Sequence, residues 1–390
     1  MDKINFGIIG MGNRGSYIGK YVFPNNSHIN LAAVCDGKDS TLEEWKEKKV
    51  RTYKYYEELL SDEKIDAVFI TTPDGTHAEI AIKTLKAGKH VICEKPLEIT
   101  EEKILSIVKS AKEHNKIFML GFVLRYAPLF IKIKELIASG IIGNLIMCEA
   151  RDNINYGGFS YFHDWHRERR HSESLLLQKA THSLDILNWM IDSYPKKVAG
   201  FGSLDVFGEK GAMKIFGHPV DKALKCSECS KQKECEENIE NVYRLGKAAR
   251  REQWPDDCLY ASEIDVQDNQ SLIIKYDNGV KANYNLCLFT PEYKREFIFI
   301  GDKGKLVADD KSKTITIAFR NTKDVISYEV PNEGVHGGGD ERLMEDFINC
   351  YYHNKKPIAS LKDGAISALL ALAAQKAIDQ EQIVEVKTID

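Results

Sequence analysis

A glycine-rich segment near the amino terminus has the residue types and spacing of a dinucleotide-binding loop. Gly10, Gly12 and Gly15 follow a short apolar run, and the residues after them can begin a helix. The first glycine permits a tight turn, the second lets backbone N–H groups approach a pyrophosphate, and the third allows close packing of the helix. The phosphates then lie at a helix N-terminus, which favours anions. Asn13 and Arg14 are further candidate cofactor-binding residues in this loop.

An acidic residue indicates which dinucleotide the loop would bind. Asp36 ends the second predicted strand, about 20 residues beyond the loop, where a carboxylate can accept hydrogen bonds from both ribose hydroxyls. A carboxylate there repels a 2′-phosphate, so the sequence predicts NAD and makes NADP the weaker ligand. The neighbouring Lys38 reduces that preference. The alternative is an ordinary turn, with Asp36 capping a helix.

Two later segments place polar residues directly after predicted strands. Glu94 and Lys95 precede a proline at the end of one strand, and Thr72, Pro73 and His77 follow another. Ligands of open parallel sheets bind outside the carboxyl ends of the strands. These five residues are therefore candidates for contacts with a cofactor or substrate.

Together with the glycine loop, these segments closely resemble the Gfo/Idh/MocA oxidoreductase family, named for glucose-fructose oxidoreductase and inositol dehydrogenase. The resemblance covers the whole first domain and continues, less specifically, through Arg125, Tyr126 and residues 175–189. It implies cofactor contacts at Thr72, Pro73, His77 and Glu94. It also implies a dehydrogenase acting on a sugar, polyol or derivative, and a homodimer or homotetramer.

The resemblance makes Lys95 the active-site lysine. An ammonium group beside the nicotinamide can hydrogen-bond to the reacting oxygen and favour its alkoxide. The alternative is an exposed lysine at a strand end, paired with Glu94.

The resemblance assigns the general acid/base to a histidine at the start of a helix, and His182 fits that position. Asp185, three residues later, shares its helix face and can orient the imidazole or contact substrate. The inositol dehydrogenase branch carries an aspartate four positions before this histidine, whereas this chain has Gln178, so Lys179 is expected to supply substrate hydrogen bonds instead. The alternatives are a capping or core role for His182 and a structural role for Asp185.

An aromatic segment at residues 156–167 combines rings with hydrogen-bond donors. Aromatic faces suit the C–H faces of a sugar, and the donors suit its hydroxyl groups. Trp165 and Tyr126 are candidate substrate residues, while Arg125 is a candidate for the cofactor. The alternative is an aromatic plug beneath a loop.

The nine cysteines fall into two groups. Five lie singly in apolar contexts and are interpreted as small buried hydrophobic residues. The other four lie in one polar segment and begin with a Cys-x-x-Cys spacing: Cys226, Cys229, Cys235 and Cys258. Four thiolates can close the tetrahedral shell of a structural zinc ion. Free thiols or a disulfide are the alternatives.

Two domains must position these residues. Residues 1–122 alternate apolar runs with helix-like segments, which predicts an α/β Rossmann domain with a doubly wound parallel sheet. Residues 123–390 predict a substrate-binding and oligomerisation domain of α+β type with an open, mainly antiparallel sheet. A cysteine-containing insertion is expected at about residues 208–262.

Composition restricts the class of ligand. Lys and Arg total 54 against 58 Asp and Glu, a net charge of −4, so no basic surplus points to nucleic acid or an anionic membrane. No apolar run approaches the roughly 18–20 residues of a membrane span. The first residues lead straight into a predicted strand, without a signal-peptide pattern, and a cytoplasmic location is expected.

The predicted reaction is hydride transfer between nicotinamide and a secondary alcohol. His182 would take the hydroxyl proton while Lys95 stabilises the alkoxide. An NAD-dependent glycoside-cleaving enzyme, acting by transient oxidation and elimination, would use the same residues. A non-catalytic dinucleotide-binding sensor or scaffold, and an interaction module organised by zinc, are the further alternatives.

Overall fold

The computed structural model describes residues 2–221, 224–245, 255–331 and 335–389. The chain divides into two compact units. The first comprises Met1–Lys134, Pro331–Leu369 and Thr388–Asp390, and the second Glu135–Val330 and Leu370–Lys387. The chain therefore returns to the first unit near its carboxyl end, with a segment that the sequence analysis assigned to the second domain.

A six-stranded parallel sheet forms the centre of the first unit, in the order β3-β2-β1-β4-β5-β6. The strands are β1 (Ile4–Ile9), β2 (Ile29–Cys35), β3 (Arg51–Tyr53), β4 (Ala67–Ile70), β5 (His90–Cys93) and β6 (Phe118–Leu120). Chain order reverses between β1 and β4, which is the switch point where such sheets bind ligands. This confirms the predicted doubly wound Rossmann sheet.

Helices cover this sheet: α1 (Asn13–Tyr17), α2 (Asp39–Glu47), α3 (Tyr56–Ser61), α4 (His77–Lys86), α5 (Glu101–His114) and, from the late segment, α11 (Gly339–His353). In α5 the side chain of Thr100 accepts a hydrogen bond from the N–H of Lys103, so it caps the helix. Ile104 and Ile107 of α5 are buried, as their helical spacing predicts. Phe347 of α11 packs edge-on against Phe6 of β1, with ring centroids 5.1 Å apart.

A nine-stranded sheet forms the second unit, in the order β14-β13-β12-β11-β7-β10-β9-β8-β15. Its strands are β7 (Leu145–Asn153), β8 (Pro195–Ser203), β9 (Asn269–Tyr276), β10 (Lys281–Cys287), β11 (Lys294–Gly301), β12 (Gly304–Asp309), β13 (Thr314–Phe319), β14 (Val325–Glu329) and β15 (Val384–Glu385). Of the described pairs, β7 with β10 is parallel and the others are antiparallel. The predicted open, mainly antiparallel sheet is thus confirmed.

The two faces of this sheet differ in exposure. Along β9, Leu272, Ile274 and Tyr276 are buried, whereas Ile273 between them is 63% exposed. Helix α8 (Thr181–Ile191) packs on the buried face, where the hydroxyl of Tyr276 donates to Asn188 at 2.8 Å. The remaining helices are α6 (Pro128–Ala138), α7 (Arg169–Ser172), α9 (Gly208–Ile215), α10 (Ile239–Arg244) and α12 (Leu361–Gln380).

The predicted insertion at 208–262 contains α9 and α10. Its residues 222–223 and 246–254 lie outside the described residues. Throughout the described ranges, no helix is both long enough and apolar enough to cross a membrane.

Candidate active site

The glycine loop between β1 and α1 leaves no room for a side chain at Gly10 or Gly15. Gly10 has a φ of +92°, and a Cβ atom there would lie 2.9 Å from the carbonyl oxygen of Thr71. A Cβ at Gly15 would lie 2.1 Å from the carbonyl oxygen of Gly10. At Gly12, by contrast, a Cβ would meet no atom within 4 Å. The loop is therefore packed tightly beneath Gly10 and Gly15 and open beside Gly12, as a pyrophosphate cradle requires. Asn13 begins α1 at this open side.

Asp36 is held at the end of β2, next to this loop. Its Oδ2 accepts a hydrogen bond from the N–H of Met11 at 2.7 Å, and its Oδ1 accepts one from the N–H of Lys38 at 2.8 Å. Each carboxylate oxygen has two lone pairs, so both can still accept from a ribose hydroxyl. The half-buried carboxylate is thus fixed in orientation and remains able to bind a ribose.

Arg14 links the glycine loop to the end of β5. Its Nε donates to Glu94 at 2.5 Å, and its second amino group donates to Asp340 of α11 at 2.5 Å. Burial opposes the charge, but the two carboxylates outweigh it and raise the pKa of Arg14. His336 contacts the other oxygen of Asp340 at 2.9 Å. Sequence reasoning missed Asp340, because nothing local ties a helix residue to a loop 326 positions earlier.

Lys95 lies two residues after the end of β5 and is half-buried. Its backbone N–H donates to Oε2 of Glu94 at 3.2 Å. Because Arg14 holds the other oxygen of that carboxylate, the backbone around Lys95 is connected to the glycine loop through Glu94.

His77 is fully buried where the loops after β4 and β5 meet. Its Nδ1 lies 2.8 Å from the carbonyl oxygen of Pro96 and its Nε2 lies 2.9 Å from that of Thr72. A carbonyl oxygen only accepts, so this arrangement favours an imidazolium, in which both ring nitrogens donate. Burial lowers the pKa of His77, but its interactions with Cys93 and Asp74 outweigh this and raise it to about 10.

The three predicted residues of this region, His77, Thr72 and Pro73, differ in their exposure to solvent. His77 connects two loops and presents no ring nitrogen to solvent. Thr72 is half-buried and Pro73 is exposed in the first of these loops. The geometry favours a positioning role for His77 and leaves the other two at the carboxyl edge of the sheet.

Arg125 and Tyr126 are both buried within the first unit. Arg125 donates to the carbonyl oxygen of Ile358 at 2.8 Å and forms an ion pair with Asp363 at 3.0 Å. The hydroxyl of Tyr126 donates to Asp346 at 2.8 Å and accepts from the N–H of Ala359 at 3.2 Å. These contacts anchor the late segment and favour a structural role for both residues.

The start of α8 in the second unit carries the other predicted residues. His182 is the second residue of α8 and is half-buried, and Asp185 is 1% exposed. Lys179 lies in the π-helical turn Leu176–Ala180 immediately before α8. Its ammonium group donates to the hydroxyl of Tyr156 at 3.2 Å.

A buried carboxylate that the sequence analysis missed fixes this helix start. Asp152 of β7 accepts hydrogen bonds from Ser183 at 2.5 Å, from Tyr284 at 2.7 Å and from Arg295 at 2.7 Å. Burial raises its pKa, but Arg295 and Lys179 outweigh that effect, so the pKa stays below its usual value. The one signal for Asp152 in the sequence was a charged residue at a position of β7 where the alternation of the strand places side chains in the core.

Only part of the aromatic segment at residues 156–167 is packed as an aromatic plug. Phe162 packs against Phe207 with ring centroids 4.4 Å apart, which agrees with an aromatic plug. Trp165 is half-buried and stacks on His166 at 3.9 Å. Tyr156 stacks on Tyr293 at 6.0 Å and carries the hydroxyl that meets Lys179.

The structure does not support the predicted zinc site. Cys226, Cys229, Cys235 and Cys258 line one small cavity, but no group of three or more His, Cys, Asp or Glu side chains among the described residues is arranged to hold a metal ion. Cys226 instead packs in an apolar cluster with Phe159, Ile239 and Val242. Burial raises the pKa of Cys226 to about 12 and of Cys258 to about 11. All nine cysteines are free.

Comparisons with known proteins match both domains of the chain. A model of an oxidoreductase family with an NAD-binding Rossmann fold matches residues 4–122, and the model of its C-terminal alpha/beta domain matches residues 134–386. The putative oxidoreductase YteT of Bacillus subtilis is 28% identical over 320 residues, covering 75% of this chain and 74% of that protein.

Two further proteins show how far the similarity extends. The inositol 2-dehydrogenase/D-chiro-inositol 3-dehydrogenase of Lactiplantibacillus plantarum is 28% identical over 190 residues, 48% of this chain and 52% of that protein. This chain thus spans about half the length of that relative. The structure of levoglucosan dehydrogenase in complex with NADH has a TM-score of 0.76 at 19% identity and covers all of both chains, which shows a shared fold.

His77 generates a prediction about stability and pH. The pKa of His77 in the folded protein, about 10, lies above its ordinary value of 6.5, so its contribution is complete below that value and disappears as pH rises toward 10. We expect His77→Gln to lower the free energy of unfolding at pH 6 by about 1–3 kcal/mol. The difference from the unsubstituted protein should shrink between pH 6.5 and 10, as measured by urea denaturation.

His28→Gln is the matched control, because His28 is exposed in the same unit. It should shift neither the stability nor its pH dependence. A constant difference between His77→Gln and the unsubstituted protein across this pH range would show that the ring is neutral.

Proposed function

Because the chain belongs to the Gfo/Idh/MocA oxidoreductase family, with an NAD-binding Rossmann fold, we propose that it transfers a hydride between NAD(H) and a secondary alcohol of a sugar, polyol or related compound. The open space beside Gly12, with Asp36 held next to it, supports this proposal most directly. Both lie at the edge of the sheet that also carries Lys95. NAD, when bound, supplies the hydride acceptor or donor.

Lys95 stabilises the negative charge that develops on the reacting oxygen. Its backbone is held through Glu94 and Arg14, so the ammonium group starts from a fixed point on the sheet edge. A preorganised positive charge in a water-poor site lowers the energy of an alkoxide more than water does. The same contact polarises a ketone in the reverse direction.

His182 accepts the hydroxyl proton during oxidation and returns it during reduction. The bond between Ser183 and Asp152 fixes the first turn of α8, and with it the backbone of His182. The glycoside-cleaving alternative would use the same two residues. It differs because the hydride returns to the product, so cleavage gives no net NADH.

The first prediction from this proposed function concerns the choice of cofactor. We expect NAD⁺ to bind at least about tenfold more tightly than NADP⁺, because a 2′-phosphate would meet the carboxylate of Asp36. Asp36→Asn keeps one oxygen acceptor and removes the charge, so it should reduce this preference. Fluorescence titration with both cofactors measures it.

Asp39→Asn serves as the control, since Asp39 is an exposed aspartate three positions later that pairs with Lys54. It should leave the ratio of the two affinities unchanged. Equal or tighter binding of NADP⁺ by the unsubstituted protein would refute this account of Asp36.

The second prediction separates an enzyme from a protein that only binds NAD. Lys95→Ala and His182→Ala should each reduce turnover by roughly 10²- to 10⁴-fold, the usual scale for lost acid/base or polar assistance. The affinity for NAD should stay within a few fold, because neither residue is expected to bind the adenine half. Initial rates of NADH formation across inositols, aldoses and glycosides provide the measurement.

Lys86→Ala and His28→Ala are exposed controls of the same residue types. Near-normal turnover in His182→Ala would reduce that histidine to a helix cap. Release of aglycone without net NADH would favour the glycoside-cleaving alternative, and NAD binding without any product would favour a sensor or scaffold.

We further propose that the chain forms a homo-oligomer through the open face of the nine-stranded sheet. On this face Phe201 is 73% exposed, Ile273 is 63% exposed and Met147 is 38% exposed. Phe201 pairs with Ser271 and Ala199 with Ile273, so the two largest apolar side chains lie near each other on adjacent strands. Exposed apolar patches of this kind mark interaction surfaces.

The third prediction tests this surface. Phe201→Asp should lower the molar mass measured by light scattering, because a charge at the centre of an apolar interface is costly to bury. Tyr55→Asp, at an aromatic residue of the first unit that is 63% exposed, should leave the mass unchanged. A monomeric unsubstituted protein would refute the assembly.

A further inference from the structure

Lys179 has an unusual environment for a lysine. Its side chain is buried, with the residue 8% exposed. Its hydrogen-bond partner among the described residues is the hydroxyl of Tyr156, at 3.2 Å, and its ammonium group lies 5.6 Å from the centre of that ring. An ammonium group has three donors and no acceptor. Two N–H bonds are therefore left for another partner.

No carboxylate among the described residues forms an ion pair with Lys179. The acidic group that interacts electrostatically with Lys179 is Asp152. Its two oxygens already accept hydrogen bonds from Ser183, Tyr284 and Arg295. Buried ammonium groups are normally paired with an anion. The preceding residue, Gln178, is a buried neutral amide and supplies no charge.

Arg295 adds no second free cation to this site. Its guanidinium group pairs with Asp152 at 2.7 Å and lies 3.6 Å from Asp310. The hydroxyl of Tyr293 also donates to Asp310, at 3.1 Å. The group that remains uncompensated is thus one ammonium with one positive charge, beside the ring of Tyr156.

We propose that the substrate is a sugar acid and that its carboxylate pairs with Lys179. The inference rests on the proposed function, because it names the substrate class of that reaction. A carboxylate carries the single negative charge that one ammonium balances, whereas a phosphate monoester carries up to two and commonly binds several cationic or N–H donors. Tyr156 can accept from Lys179 and donate its own proton to the same carboxylate.

The test compares sugars that differ only at the group in question. Glucuronate with glucose and galacturonate with galactose exchange a carboxylate for a hydroxymethyl group, and glucose 6-phosphate is the phosphate arm. Calorimetric binding to the NADH-loaded protein and rates of NADH formation with NAD⁺ are measured for each. We expect the acid of each pair to be favoured at least about tenfold by both measures, the scale of one buried charge-assisted contact.

Lys179→Gln should reduce the ratio of acid to neutral sugar, in binding and in kcat/KM, by about tenfold or more. Tyr156→Phe should reduce the ratio by a smaller factor, since it removes one hydrogen bond and keeps the ring. Lys196→Gln, which removes the same charge from an exposed position of β8, should leave the ratio unchanged. Melting temperatures show whether each variant is folded.

The outcomes separate this inference from the proposed function. Acids that bind through Lys179 without hydride transfer would support the carboxylate site and refute the dehydrogenase. Oxidation of neutral sugars, with acids neither binding nor competing, would support the dehydrogenase and overturn the carboxylate site. Three other results would also overturn it. These are a preference for glucose 6-phosphate, an equal loss of affinity and of kcat/KM for both members of a pair in Lys179→Gln, and no binding by any of the sugars.

Discussion

Two carbonyl oxygens, of Thr72 and Pro96, face the two ring nitrogens of His77 at hydrogen-bonding distance. Since neither oxygen can donate, this arrangement favours a ring that carries both protons, and therefore a charged group at the carboxyl edge of the parallel sheet. The side chain of His77 joins the loops after β4 and β5. The positions of Thr72 and of the Lys95 backbone therefore depend on a histidine that presents no ring nitrogen to solvent.

The second unit uses a buried charge in a similar way. The carboxylate of Asp152 accepts hydrogen bonds from a hydroxyl of α8, a phenol of β10 and a guanidinium of β11. Each partner satisfies a lone pair that would be costly to leave unbonded away from water. Helix α8 is thus fixed by a polar contact at its first turn, in addition to its apolar packing on the sheet.

The sequence predicted what depends on neighbours along the chain. The spacing of Gly10, Gly12 and Gly15 and the alternation of apolar runs indicated the parallel sheet and its loop, because strand and turn preferences are local. The contacts of Arg14 with Asp340 and of Asp152 with Arg295 span 326 and 143 positions, so no local pattern reports them. The four cysteines of the predicted zinc site do line one small cavity, but a metal shell also requires the sulfur atoms to surround a single point, which a Cys-x-x-Cys spacing does not report.

The return of residues 331–369 to the first unit has a consequence for the newly made chain. Phe347, which packs on Phe6, and Asp340, which binds Arg14, leave the ribosome long after the strands that they complete. At about 5–20 residues per second, the parallel sheet waits on the order of ten seconds or more for these partners. The second unit also receives its last segment, Leu370–Lys387, near the end of the chain, so neither unit has all its residues until synthesis is almost finished.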